Sequence, residues 1–112
     1  PHFRHFLAEI GWEIVSEEMI KEDGKFYPMM KAVRNEFGKK ISYTEEEAWF
    51  GPLLLRECHP VLKEYLLRET VIREKILAGL LSAPSESAKA RLAEVKEEME
   101  LIKSALKRYE SI

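Results

Sequence analysis

The stretch Trp12-Glu13-Ile14-Val15-Ser16-Glu17-Glu18-Met19-Ile20-Lys21-Glu22-Asp23-Gly24-Lys25-Phe26-Tyr27-Pro28-Met29-Met30-Lys31-Ala32-Val33-Arg34 decides the fold of the N-terminal part of the chain. Two runs rich in β-branched and aromatic residues flank an Asp-Gly step, where glycine takes the positive φ that a tight turn demands. The stretch therefore predicts two antiparallel strands. Pro28 cannot donate to a ladder, so its side of the second strand is expected to be an edge or a bulge. Phe26 and Tyr27 point to opposite faces of a strand, so at most one of them faces any given pocket.

Outward from this pair the apolar period changes from two to helical. Upstream, Phe3, Phe6, Leu7 and Ile10 fall at i, i+3, i+4, i+7 and Gly11 follows, which predicts a short amphipathic helix with a glycine stop. Downstream, Asn35 to Ser42 holds Gly38 and the pair Lys39-Lys40 and reads as a loop. Thr44 with Glu47 forms a capping box, Gly51-Pro52 breaks the short helix that follows, and Leu53 to Glu57 forms a further turn or two. His59-Pro60 restarts a helix that runs to Leu81, and Ser82-Ala83-Pro84-Ser85 turns into a last helix towards Tyr109. On that last helix Ala88, Leu92, Val95, Met99, Ile102, Leu106 and Tyr109 alternate spacings of four and three, a strict heptad seam. Its partner is the preceding helix, where Leu62, Tyr65, Ile72, Ile76 and Leu80 make a stripe that Glu69 breaks. The short connection makes this an antiparallel helical hairpin with coiled-coil packing.

Composition bounds the function. With 112 residues, 46% apolar and 34% charged, the chain has the length of one ordinary domain. A net charge of −2 excludes a broadly cationic nucleic-acid binder but leaves room for a local basic patch. Residues 1–58 hold 8 basic and 11 acidic groups and residues 59–112 hold 10 and 9, so the helical end lacks the acidic excess of the first part. The single cysteine, Cys58, excludes a disulfide framework and a four-cysteine zinc site. No apolar run reaches the roughly 18 residues that a membrane-spanning helix needs. A first residue of Pro1 rather than methionine suggests a fragment with a natural start upstream.

No self-contained active site is legible. The sequence has no Gly-rich phosphate loop, no Gly-x-Ser-x-Gly elbow and no His-Glu-x-x-His helix. His2 and His5 lack a third ligand nearby, so no metal is expected, and Cys58 beside His59 reads as a packed cysteine near a helix start. Glu17-Glu18 has no evident companion, whereas Glu45-Glu46-Glu47 suits the first turn of a helix. Lys89, Lys96 and Lys103 recur every seven residues beside the seam. They cover its edge and meet Glu64 or Glu74 of the partner helix, or they form a ladder of phosphate contacts along RNA. Arg34, Lys39 and Lys40 make a basic junction between strands and helices and are the better RNA candidates. Tyr27 packs on its own sheet, or its ring is a stacking platform for a base.

Four segments carry a resemblance: Gly11-Trp12-Glu13-Ile14-Val15-Ser16-Glu17-Glu18, Lys21-Glu22-Asp23-Gly24-Lys25-Phe26-Tyr27, Phe3-Arg4-His5-Phe6-Leu7 and Phe50-Gly51-Pro52-Leu53-Leu54-Leu55. In order and over essentially the whole chain, they resemble the C-terminal half of the bacterial tRNA (adenine-N1)-methyltransferases that act on adenine at tRNA position 22. Pro28 departs from the acidic residue expected after Tyr27. The resemblance implies an α+β fragment: residues 1–36 as the terminal helix and strand hairpin of a Rossmann-like methyltransferase sheet, 37–43 as linker and 44–112 as a helical coiled-coil domain. It implies S-adenosylmethionine as cofactor, bound upstream of Pro1, tRNA as substrate, a cytoplasmic location and a chain inactive by itself. Tyr27 would lie near the substrate pocket. From a different class comes the expectation of a stand-alone helical interaction module that binds a protein or self-associates. A lone two-stranded hairpin is marginal in water, so the strand pair expects neighbours from elsewhere, either another copy or the missing N-terminal half.

Overall fold

The computed structural model describes residues 2–36 and 40–111. Helix α1 (His2–Glu9) leads into strands β1 (Trp12–Glu22) and β2 (Lys25–Arg34). Helices α2 (Glu45–Phe50), α3 (Pro52–Arg56), α4 (Pro60–Ser82) and α5 (Glu86–Lys107) follow, and a 3₁₀ turn at Arg108–Ser111 closes the order. The chain divides into two compact units, Pro1–Lys63 and Glu64–Ile112. Helices α2 and α3 thus group with the strand pair.

In the first unit β1 and β2 form the expected antiparallel pair. Asp23 and Gly24 both take positive φ, 51° and 76°, the conformation of a type I′ turn whose twist suits the strands. Gly11, at φ 79°, ends α1, and its carbonyl accepts the Asn35 N–H at 2.8 Å, which ties off the open end of the pair. Pro28 lies opposite Met19 without irregularity, on a strand that is an edge of the two-stranded sheet, the first of the two arrangements expected for it. The bulge is in β1 instead, at Val15, between the pairs Ile14–Ala32 and Ser16–Lys31. A strand alternates its side chains, so Ile14 and Glu17, three residues apart, would face opposite ways in a strand without a bulge. With it, Ile14, Glu17 and Met19 all lie buried on one face.

Helices α1 and α3 both pack on β1, and α2 contacts both of them. Leu7, Ile14, Met19, Ala48, Phe50, Leu54 and Leu55 supply the apolar interior. An ion pair sits among them. Arg4 donates to Glu17 Oε2 through Nε and Nη2, each at 3.0 Å, and through Nη1 to the Ala48 carbonyl at 2.9 Å. Glu17 Oε1 accepts the Leu53 N–H at 2.8 Å. A cation therefore meets the carbonyl end of α2 and an anion meets the N–H end of α3, the signs that suit both helix termini. Pro52 has no N–H to offer, so Glu17 takes the first donor of α3. Gly51, at φ 97°, joins the two helices, and a Cβ there would lie 2.5 Å from Glu17 Oε2. The apolar stripe expected of α1 is turned round as a result. Arg4 and Leu7 face inward, while Phe3, Phe6 and Ile10 are exposed.

The local signals at the later helices hold. Thr44 and Glu47 form both bonds of the capping box, and the Ser85 hydroxyl accepts the Ala88 N–H to start α5. Breaking a buried ion pair from one side leaves the other charge stranded. Arg4→Met is therefore expected to lower the unfolding free energy by about 3–5 kcal/mol. Adding Glu17→Leu should cost less than the sum of the two single changes, as measured by urea denaturation of the three variants. Gly51→Ala combines backbone strain with the clash on Glu17, an expected loss of about 1–3 kcal/mol in the same assay.

Candidate nucleic-acid interface

Some cations of the first unit lie at or near the open end of the strand pair, whereas Lys21 and Lys25 flank the turn at its other end. Arg34 ends β2 opposite Trp12 and is exposed. Lys40 lies on the segment that leaves the sheet and lines two neighbouring clefts, while Lys39 lies outside the described residues. The first cleft, about 470 Å³, runs along α1 past His5, Glu9 and Gly11. Its His5 is engaged with Glu45 at 3.0 Å. The second, about 240 Å³, is walled by Glu13, Ile14, Ser42, Tyr43, Leu53 and Arg56. The Tyr43 hydroxyl accepts the Ile14 N–H at 3.4 Å, which holds the 40–43 segment against β1. Arg56, the last residue of α3, is exposed beside this cleft, and the sequence reading passed over it as part of a short helix. Neither Lys40 nor Arg56 makes an ion pair with another described residue.

Tyr27 is at the other end of the strand pair. It lies opposite Ile20, three residues past Gly24, and 43% of it is exposed. The structure does not bring it together with Arg34 or Lys40. Glu18, without an evident companion in the sequence, meets His59 at 2.6 Å. Among the described residues no group of three or more His, Cys, Asp or Glu is placed to hold a metal ion.

In the second unit the residues of the α5 seam are buried or half-buried as the heptad spacing predicts. The matching face of α4 differs from the sequence reading. Ile72 is exposed, and Glu69, read as a break, lies on the face with Arg73. Arg73 holds Glu69 at 2.9 Å and reaches Glu98 of α5 at 3.1 Å, and Arg91 touches Glu98 at 3.5 Å. These four charges join the two helices with most polar atoms satisfied. Lys89, Lys96 and Lys103 all lie exposed. Lys89 pairs with Glu86 and Lys103 with Glu100, neighbours on their own helix rather than the expected Glu64 or Glu74. Pairs this exposed hold the side chains weakly and leave them available to a competing anion.

A family model described as tRNA (adenine(22)-N(1))-methyltransferase matches residues 1–104. The chain belongs to this family. Among solved structures, an uncharacterized protein of Listeria monocytogenes serotype 4b is similar at 26% identity and a TM-score of 0.87, over 93% of this chain and 45% of that one. The B. subtilis tRNA methyltransferase TrmK is similar at 24% identity and 0.78, over 94% and 46%. A Streptococcus pneumoniae protein solved in complex with S-adenosyl-L-methionine is similar at 24% identity and 0.71, over 94% and 42%. The chain spans less than half the length of these relatives. No curated protein matches it.

Burial, and next the negative charge of Glu69, raise the pKa of Tyr65 above its ordinary 10.0. The folded chain then keeps that proton after the unfolded chain has lost it, so stability drains as the pH climbs past about 10. Tyr65→Phe is expected to lose less stability than the unaltered chain between about pH 9 and about pH 11, measured as urea midpoints.

Proposed function

We propose that this chain is the C-terminal portion of an S-adenosylmethionine-dependent tRNA (adenine-N1)-methyltransferase, and that its helical unit helps to hold the tRNA. The observation that carries the reading is the family match over residues 1–104 in a chain that spans under half of its solved relatives. On this reading α1, β1 and β2 complete a Rossmann-like catalytic sheet, and residues 44–112 form a helical domain whose α4 and α5 pack as a coiled coil. The exposed Phe3, Phe6, Ile10 and Val33 support it, because apolar groups on a terminal helix and an open strand pair are surfaces that further strands and helices cover. On this reading the enzyme works in the cytoplasm.

S-adenosylmethionine supplies the methyl group in such a reaction. The strand pair does not fit it: β1 and β2 are joined by a two-residue turn, which leaves no loop between them to cradle the cofactor. No step of the transfer is assigned to them; on this reading the cofactor is held by a part of the enzyme upstream of this chain. The role left to this chain is to hold the RNA. An adenine inside folded RNA must be drawn out before its N1 can be methylated, and phosphate contacts fix the register of the RNA while that happens. Lys89, Lys96 and Lys103, one face of α5, are suited to those contacts, together with Arg34, Lys39 and Lys40.

A second reading, self-association through the helical unit, is favoured by one observation: Leu67, Val71, Ile72 and Leu81 are exposed on α4. Sedimentation of the complete natural protein distinguishes the two, since a monomer that methylates tRNA leaves no role for self-association. The complete natural protein carrying this sequence is expected to transfer a methyl group from S-adenosylmethionine to N1 of adenine 22, read by mass spectrometry of the tRNA. The 112-residue chain alone is expected to transfer none. Changing Lys89, Lys96 and Lys103 together to Ala should weaken tRNA binding and flatten its salt dependence by about one unit of log–log slope per lost phosphate contact. An unchanged slope sinks the RNA role of the stripe.

A further inference from the structure

We propose that the cleft between the 40–43 segment, the start of β1 and the end of α3 is a binding site for a phosphodiester of the RNA backbone, with Lys40 and Arg56 as its two cationic jaws. The proposal rests on the tRNA reading above and extends it to a place and to a residue, Arg56, outside the basic loop and the helical stripe.

Three observations carry it. Lys40 and Arg56 stand on separate pieces of chain, yet both line one cleft of about 240 Å³, and Ser42 lines it too. Both are exposed and neither is neutralised by an ion pair to a described residue, so their charge is available to a ligand. The mounts are firm. Arg56 ends a helix whose first N–H is held by the buried Glu17, and the 40–43 segment is held to β1 through Tyr43 and Ile14. A cation on a positioned element loses less freedom on binding than one on a loose tail.

The two clefts that share Lys40 differ in what they attract. The larger one carries Glu9 and a His5 already engaged by Glu45, and it has no second cation with an unspent charge. The smaller one pairs Lys40 with Arg56 against the single carboxylate of Glu13, a local balance of one positive charge. Glu13 is half-buried, so its charge is less exposed than those of Lys40 and Arg56. Ile14, Ile41, Pro52 and Leu53 add apolar groups to the lining, against which a ribose can lie. Arg34, exposed at the open end of the strand pair opposite Trp12, adds a further cation to the same unit. Two exposed cations in water hold a lone phosphate poorly. A polynucleotide presents many phosphates and releases counterions at each contact, which favours RNA as the occupant.

The test uses the complete natural protein and its tRNA, with binding measured across a series of salt concentrations. The double variant Lys40→Ala/Arg56→Ala should bind several-fold more weakly and lower the log–log salt slope by about two units, one per cation. Arg56→Lys, with Lys40 retained, should restore most of the slope, because the contact is to charge. Lys31→Ala/Lys75→Ala removes the same charge at exposed positions that do not line the cleft and should leave the slope unaltered. Thermal melting confirms that each variant folds. If the unmodified protein binds and methylates tRNA but the cleft variant keeps its slope, the cleft assignment falls and the methyltransferase reading stands. An equal loss in the Lys31/Lys75 control likewise overturns the cleft, since the effect is then one of net charge. If the unmodified protein does not bind tRNA, both fall together.

Discussion

The Arg4–Glu17 ion pair is the constraint on which the first unit is built. Two charges withdrawn from water are tolerable only when their remaining donors and acceptors are also met, and here the backbone meets them. The guanidinium spends its third nitrogen on a carbonyl of α2, and the carboxylate spends its second oxygen on an N–H of α3. Four elements thus converge on one pair of side chains: α1 gives the cation, β1 the anion, and two short helices give the groups that complete both. Neither α2, of six residues, nor α3, of five, is long enough to persist by itself in water. They persist because their ends are held.

What the sequence made legible follows from the range over which each signal acts. The Asp23-Gly24 turn, the Thr44–Glu47 box and the alternating seam of α5 are local patterns, complete within a few residues or one repeating face, and each is found where its pattern puts it. The Arg4–Glu17 pair joins residues thirteen apart and then reaches Ala48 and Leu53. No period encodes such a meeting, so Glu17 read as a carboxylate without a companion. The α1 stripe failed for a related reason: apolar spacing says which residues share a face, and tertiary contacts decide which face is covered. Of the candidate interface, Arg34 and Lys40 were visible as basic residues at a junction. Arg56 was not, since only the fold carries the end of α3 to the 40–43 segment.

The helical unit shows the opposite balance. Glu69 looked like an interruption because a heptad seam is read by its apolar members, yet it keeps the spacing and brings Arg73 and Glu98 with it. Charged residues within a seam cost stability relative to leucine, and they penalise every alignment in which they are not matched. A hairpin held by apolar residues alone can slide by a turn with little loss. Where α4 sets Arg73 against Glu98 of α5, a slide would separate that pair, so these charges bear on how the two helices align.

The extra residue at Val15 has a consequence for comparing chains rather than for folding one. The bulge absorbs a surplus residue, so the strand keeps its buried face although its length has changed. A relative that lacked that one residue would pair without a bulge and keep its carboxylate on the buried side, because the acid would then follow the first buried apolar residue by two. One that kept the residue but paired in regular register would put its carboxylate in solvent. A one-residue gap between Ile14 and Glu17 in an alignment of β1 is therefore the mark of a bulge gained or lost, and the buried face survives it.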